Sequence, residues 1–424
     1  MRLKQFLIGA TSAIALTSLS SIAFAGAVTS KEEISISTTG GGIKVKSDNG
    51  NTFSIGGRIM YDYDSYDGAY NADFDGDEGS ESEFRRTRVN LKGTSGKNWE
   101  YKLTVDIDDD DNEADVDTAY IKYQGFENVD LFLGRLKAPA GLEELTSSKW
   151  VSTVERTVTT SDFGILSGKP DFQFQAQAHA GNFFGQLALI DEGEEDADTK
   201  DAYSWALRAG MHFPFDEDNH FLHAAASYAN RDFGDEGTIG FETEGAVHAL
   251  PGDIKVQDNA DFEVDGADQF GVELVYVNGP FSAQGELWTA GFDGDTNGAG
   301  DISATDVDVD SYYTLLSYFL TGESRSYKGK VGKFDKIKPK GTKGAWEFVA
   351  KYEDGEVDPD NQASESEFEI LTLGVNWYAT NNVKFMLNYL DIDTENFDSE
   401  DGIPLATLGE EDGNALSLRA QYAF

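Results

Sequence analysis

The sequence predicts an all-β chain closed into a sixteen-stranded antiparallel transmembrane β-barrel. Three observations carry this: an export leader, no later apolar run long enough for a membrane helix, and alternating segments that end in an aromatic C-terminus.

Arg2 and Lys4 make a short basic start, Phe6 to Leu19 is mostly apolar, and Ala23-Phe24-Ala25 fits an A-x-A cleavage site. A cytosolic amphipathic helix would carry charges on one face, and Phe6 to Leu19 has none. The chain therefore divides into a signal peptide over 1–25, an N-terminal leader segment over 26–50 and a barrel domain over 51–424. Past the signal, no apolar run approaches the roughly 18 residues that a spanning helix needs. A chain without such helices satisfies its backbone in hydrocarbon only as a closed barrel. The mean hydropathy of −0.43 agrees, because alternate residues of a wide barrel face a wet lumen.

Cysteine is absent, which rules out disulfides, thiolate metal sites and a cysteine nucleophile. The formal charge is −44, and removal of the signal takes away two more cations. That excess argues against nucleic-acid binding, which draws its affinity from basic stripes. The five histidines show no metal-ligand spacing beyond His220-x-x-His223, read as chance. Carboxylates are too abundant for any pair to signal acid–base catalysis, so no enzyme is expected.

The last segment alternates most clearly: Leu416, Leu418, Ala420, Tyr422 and Phe424 on one face, Ser417, Arg419 and Gln421 on the other. Val383, Phe385, Leu387 and Tyr389 oppose Lys384, Met386 and Asn388 in the same way, as do Trp346, Phe348, Ala350 and Tyr352 against Glu347, Val349 and Lys351. Period two with one apolar face marks a strand between two environments. Sixteen such segments begin near Thr52, Phe84, Trp99, Asp115, Val129, Phe172, Phe183, Ser204, Phe221, Asp268, Phe281, Asp310, Ala345, Phe368, Val383 and Ala415. Each is expected to cross in about 9–11 residues. A soluble β-sandwich would also alternate, but it leaves the aromatic terminal strand and the many long segments unexplained.

Connections alternate too. Thr94 to Asn98, Gly125 to Asn128, Gly181-Asn182, Asn278 to Pro280 and Ala379 to Asn382 are short and fall on the periplasmic side. Those on the other side, such as Asp64 to Ser82 and Arg231 to Ala267, are long or acidic, as extracellular loops are. One segment breaks the parity. Thr321 to Gly344 is long, periplasmic and basic, with eight Lys and Arg from Arg325 to Lys343 against Glu323 and Asp335. A solvated loop is the plain reading; a periplasmic collector of anions, or a contact for an acidic partner, is the sharper one.

Several strings resemble the phosphate-selective porin O and P family. They are Phe84-Arg85-Arg86, Gly141-Leu142-Glu143-Glu144-Leu145-Thr146-Ser147-Ser148-Lys149-Trp150 with Glu155-Arg156, Thr321-Gly322-Glu323, Gly344-Ala345-Trp346-Glu347, Leu373-Gly374-Val375-Asn376-Trp377-Tyr378 and Arg419-Ala420-Gln421-Tyr422-Ala423-Phe424. The resemblance covers about Asn51 to Phe424. It implies an outer-membrane porin, usually a homotrimer, that passes small ions and hydrophilic solutes and meets lipid and lipopolysaccharide. It also implies that Ala138 to Asp162 folds into the lumen as the constriction loop. Arg58, Arg85, Arg86 and Lys149 match basic pore positions of the family, and Asp117 an acidic one.

Alternation adds detail. Ile55, Ile59 and Tyr61 facing lipid turn Arg58 inward; Val89 and Leu91 facing lipid turn Arg86 and Arg88 inward. Arg85 cannot share that direction in a regular strand, so it requires a rim position or a β-bulge. Whether Arg58 and Arg86 line the pore or merely pair with carboxylates stays open. The family's central lysine is replaced by Glu144, and its extracellular arginine ladder by an acidic run whose cations are Arg231 and Lys255. Acidic rings favour cations, so the leading expectation is a general or cation-tolerant pore, with a phosphate or polyphosphate channel second. A plugged barrel serving as adhesin or structural protein is the rival from another class.

No cofactor is expected. Asp293, Asp295 and Asn297 match the opening half of an EF-hand loop, but Ala304 stands where the closing Glu belongs. A turn in an acidic loop is the plain reading, weak Ca²⁺ binding the alternative.

Overall fold

The computed structural model describes residues 33–424 apart from 39, 75, 108–113, 168, 171, 193–201, 216–218, 235–237, 257–261, 295–305, 361–364, 400–401 and 410. The signal peptide, Asp295 and Asn297 lie outside the described residues.

Sixteen antiparallel strands form the wall. They are β1 (Thr52–Gly68), β2 (Gly79–Ser95), β3 (Trp99–Ile107), β4 (Ala114–Tyr123), β5 (Val129–Arg135), β6 (Phe172–Ala180), β7 (Phe183–Asp191) and β8 (Tyr203–Pro214). The second half comprises β9 (His220–Asp232), β10 (Phe262–Asn278), β11 (Phe281–Gly294), β12 (Asp306–Phe319), β13 (Ala345–Pro359), β14 (Ser366–Tyr378), β15 (Val383–Glu395) and β16 (Asp412–Ala423). Each strand pairs with the next, and β16 closes on β1 from Gly413 opposite Gly68 to Ala423 opposite Arg58. Closure leaves no wall edge exposed, which is the condition for crossing hydrocarbon with strands.

Burial follows the predicted alternation. Along β12 every second residue is exposed: Asp306, Asp308, Asp310, Tyr312, Thr314, Leu316 and Tyr318 point outward. On the periplasmic side the outward residues form an aromatic girdle, with Trp346 stacked on Trp377 and Trp377 on Phe385. Phe424 seals the seam. Its backbone exchanges hydrogen bonds of 2.8 and 3.0 Å with Gly57, and a Cβ at Gly57 would lie 2.7 Å from the Phe424 ring and 2.4 Å from the Arg88 carbonyl.

Several strands reach 17 residues, longer than a crossing needs. The excess lies at the extracellular ends, where the outward residues turn acidic: Asp306 to Asp310 on β12, Asp354, Glu356 and Asp358 on β13, Glu367 and Glu369 on β14, Asp391 to Glu395 on β15. Many face each other across the ladder, as Asp310 faces Glu356, Glu356 faces Glu367, and Glu369 faces Asp393. The wall therefore continues beyond the apolar band.

Two insertions enter the barrel. The β5–β6 loop (136–171) folds inward and carries two short helical turns, α1 (Leu142–Leu145) and α2 (Val158–Ser161). The basic β12–β13 segment enters from the periplasmic end as a hairpin of Ser326–Lys328 against Lys333–Asp335. Its expectation as a solvated loop fails for its middle, where Arg325, Phe334 and Ile337 are buried. Over the extracellular end, Tyr70, Phe163, Phe241, Val247 and Leu405 from four loops pack into one apolar cluster.

Candidate functional site

An inward loop has backbone groups that no ladder satisfies, and buried groups of that kind need partners. The far wall supplies them. The Glu286 carboxylate on β11 accepts the N–H groups of Leu142 and Glu143, each at 2.8 Å, and Glu353 on β13 accepts that of Val158 at 2.8 Å. Asn388 accepts the Val154 N–H at 2.6 Å, while Asn376 and Lys384 donate to the carbonyls of Ser152 and Val151, both at 2.7 Å. The loop is thus fixed by its backbone to β11 and β13–β15, leaving an open chamber on the side of β1–β5.

The Arg85–Arg86 question is settled by a bulge. Met60 faces Arg86 and Asp62 faces Glu83, so Tyr61 opposes both Phe84 and Arg85. Both guanidiniums then reach Glu155 of the inward loop, Arg85 at 3.0 Å and Arg86 at 3.4 Å, and Arg419 contacts the same carboxylate. Arg419 also pairs with buried Asp62. Burial alone would raise the Glu155 carboxyl, but Arg85, Arg86 and Arg419 outweigh it and hold it well below the usual range.

Asp117 is flanked by Arg88 at 2.5 Å and by Lys169. Glu144 is buried, contacts Lys137 and lies 3.4 Å from Arg156. Against the effect of burial, Lys137 and Arg156 keep its carboxyl below the ordinary value. The residue that the sequence marks as an acid at the constriction is therefore neutralised where it sits. Arg58 donates to the Ser148 hydroxyl at 2.7 Å and, among the described residues, has no carboxylate in ion-pair contact; the same holds for Lys102 and Lys149. Burial, reinforced by Arg58, Lys102 and Lys336, lowers the Lys149 ammonium to about 8.

The hairpin supplies the chamber's periplasmic end. Arg208 on β8 is fully buried, bidentate to Glu273 at 2.6 Å, and donates to the hairpin carbonyls of Val331 and Gly332 at 3.2 and 2.7 Å. Arg325 lies 3.8 Å from the Phe334 ring and donates to Ser152 of the inward loop at 2.8 Å. Phe334 packs with Leu142, Phe221, Val275 and Val277, joining hairpin, loop and wall. Lys333 is held at about 8 by burial and by neighbouring Lys328 and Lys102.

Arg58, Arg85, Arg86, Asp117 and Glu144 line one chamber, and Lys149 sits beside it toward the hairpin. Asp293 lies apart, outward at the end of β11 and opposite Asp306. Lys102, Lys137, Arg156, Lys169 and Lys333 also line the chamber without having been singled out from sequence. Lys102 was within reach, because Tyr101 and Leu103 facing lipid turn it inward. Lys137 and Lys169 lie in an aperiodic loop and give no such signal.

At the extracellular side the β9–β10 loop (233–261) completes the passage. Its Glu242–Thr243 pairs with Ile254–Val256, and that ribbon with Phe397–Asp398. Tyr70 donates to the Gly245 carbonyl at 2.9 Å and Thr243 to the Asp162 carboxylate at 2.7 Å, which brings Glu244 and His248 against Arg85 and the inward loop.

Comparisons with known proteins agree with this architecture. The family described as "Phosphate-selective porin O and P" matches residues 53–424. Porin O of Pseudomonas aeruginosa is 30% identical over 97% of this chain and 98% of its own length. Among solved structures, OmpT of Vibrio cholerae superimposes with a TM-score of 0.56 at 13% identity, covering 88% of this chain and 98% of that one. An anion-selective porin from Comamonas acidovorans gives 0.54 at 14% identity, covering 88% and 100%.

Proposed function

This chain belongs to the phosphate-selective porin O and P family and is an outer-membrane porin, and on that footing we propose that its lumen prefers small anions, phosphate among them. The carrying observation is the balance of charge in the chamber. Asp117, Glu144 and Glu155 each have two or three cations against them, whereas Arg58, Lys102 and Lys149 have no carboxylate in ion-pair contact among the described residues. An ion entering the chamber meets a surplus of positive charge. A single unscreened charge at 4 Å and an effective dielectric near 20 is worth about 4 kcal/mol, enough to decide preference. This parts from the expectation drawn from Glu144, because that expectation took its charge as free.

Solute enters past the β9–β10 loop, crosses between the inward loop and β1–β5, and leaves along the basic hairpin, which gathers anions at the periplasmic end. The channel is passive and assigned no cofactor; weak Ca²⁺ binding around Asp293 would show as a calcium-dependent shift in melting temperature. The reading includes a homotrimer whose outer wall meets lipid and lipopolysaccharide.

Reversal potentials in planar bilayers under a KCl gradient test it. The expected result is a chloride preference, with added phosphate reducing the chloride current. A potassium preference would return the general or cation-tolerant pore, and absence of conductance the anchored adhesin.

A further inference from the structure

The extracellular mouth is lined by groups that the conduction path does not otherwise use. His248 Nδ1 lies 2.8 Å from Glu83 of β2, and His248 Nε2 lies 3.8 Å from Glu244. Glu244 also faces Arg85, Glu155 and Asp162, and Asp162 faces Asp253. Asp162 and Glu244 border both the inner chamber and the outer space that contains His248, so they stand where the two join.

We infer that Glu244, His248 and Asp162 are selectivity-setting residues of the mouth, and that protons on the extracellular side govern how readily an anion reaches the constriction. The inference rests on the anion-preferring reading and adds to it a control that the constriction itself lacks. Three elements meet at this point: the bulged β2 with Glu83 and Arg85, the inward loop with Glu155 and Asp162, and the β9–β10 loop with Glu244 and His248. Glu155 is consumed by three arginines. The charge of the mouth is thus set by the others, together with Arg231, Glu242 and Asp253 that line the same space.

Burial carries the Glu244 and Asp162 carboxyls up toward neutral pH. Burial raises Glu244 to about 7, with Asp162 and Glu155 adding to the effect against His248 and Arg85. Burial raises Asp162 to about 6. Burial works against a charged His248, but the Glu83 hydrogen bond and Glu244 outweigh it and raise the imidazole above its ordinary value. All three changes have one sign. Acidification neutralises Glu244 and Asp162 and charges His248, making the mouth more positive and more open to anions; alkalinisation does the reverse.

The test uses the full-length channel inserted in one orientation, at low KCl because salt screens such effects. Acidifying the loop side from pH 8 to pH 5.5 should raise anion conductance by about two- to fivefold, and acidifying the other side should not reproduce it. E244Q should conduct anions better than the wild type at pH 8, and D162N/E244Q/H248Q should be almost independent of pH. A response from the periplasmic side only, or an unchanged titration in the triple variant, overturns the inference. The wild-type sidedness measurement stands even where a variant assembles poorly. If the channel proves cation-preferring, the same titration should lower its current, so failure of the two readings can be told apart.

Discussion

Arg85 and Arg86 are consecutive in the chain, yet both guanidiniums bind the carboxylate of Glu155. A regular strand would send them to opposite faces; the bulge opposite Tyr61 supplies the extra residue that aims both inward. With Arg419 on the same oxygen, this cluster ties the inward loop to the seam where the barrel closes.

E155Q should therefore weaken the loop and leave Arg85 and Arg86 without their anion, Arg419 keeping Asp62. Removing one partner of a buried ion pair typically costs about 3–5 kcal/mol. The heat-stability of the folded barrel should fall, and the chloride preference should rise. Band-shift assays and reversal potentials would check the two effects separately.

Glu144 and Glu155 both have carboxyl groups held below the ordinary value by neighbouring cations. A depressed native value contributes stability above the unfolded pKa, near 4.3, that is lost as pH falls through the native one. The Glu155 cluster should accordingly persist in acid below the pH at which an ordinary carboxylate protonates. Conductance noise measured down through pH 3 should increase only at the acid end.

E144Q should raise the chloride preference modestly by releasing Lys137 and Arg156. E144K is a different case, since it would bury three cations together. It should impair assembly more than it shifts selectivity, as the yield of folded barrel would report.

Lys149 loses its proton near pH 8. Its lowered value means that the charge is present at pH 7 and lost as pH rises, so chloride preference should decline between pH 7 and 9. K149M should show the lower preference throughout. Reversal potentials at fixed salt, with pH varied on the periplasmic side, would separate this from titration of the mouth.

Replacing residues 326–335 with a short glycine turn should raise single-channel conductance about twofold by clearing the periplasmic end. It should also weaken anion preference through loss of Lys333. Arg208 would lose two carbonyl partners in the process.

The wall was legible because every strand separates lipid from water, which writes a period of two into the sequence. Observed strand starts lie within a few residues of those expected, and the early starts of β2, β10 and β12 come from extensions whose outward residues are acidic or polar instead of apolar. The bulge was legible only as one of two alternatives, because a rim position would also have let Arg85 join Arg86 at the lumen. The hairpin was not legible. Eight cations suggest solvent, and only Phe334 and Ile337 hinted otherwise. Nor could Glu144 be read as neutralised, because Lys137 and Arg156 meet it only after the loop folds. The clamps from Glu286 and Glu353 act on backbone N–H groups, which leave no mark on side-chain pattern.

The acidic extension of the wall also settles where the channel samples its surroundings. From Tyr312 to Asp306, six residues at about 3.4 Å each and a tilt near 40° raise the rim roughly 15 Å above Tyr312. With the outer wall meeting lipopolysaccharide as proposed above, the entrance would stand like a chimney through its sugar layer, clear of the lipid phosphates and of the ion cloud they gather. Under the mouth titration inferred above, protons that reach Glu244 and His248 would then report the open medium outside the cell rather than the chemistry of the membrane surface.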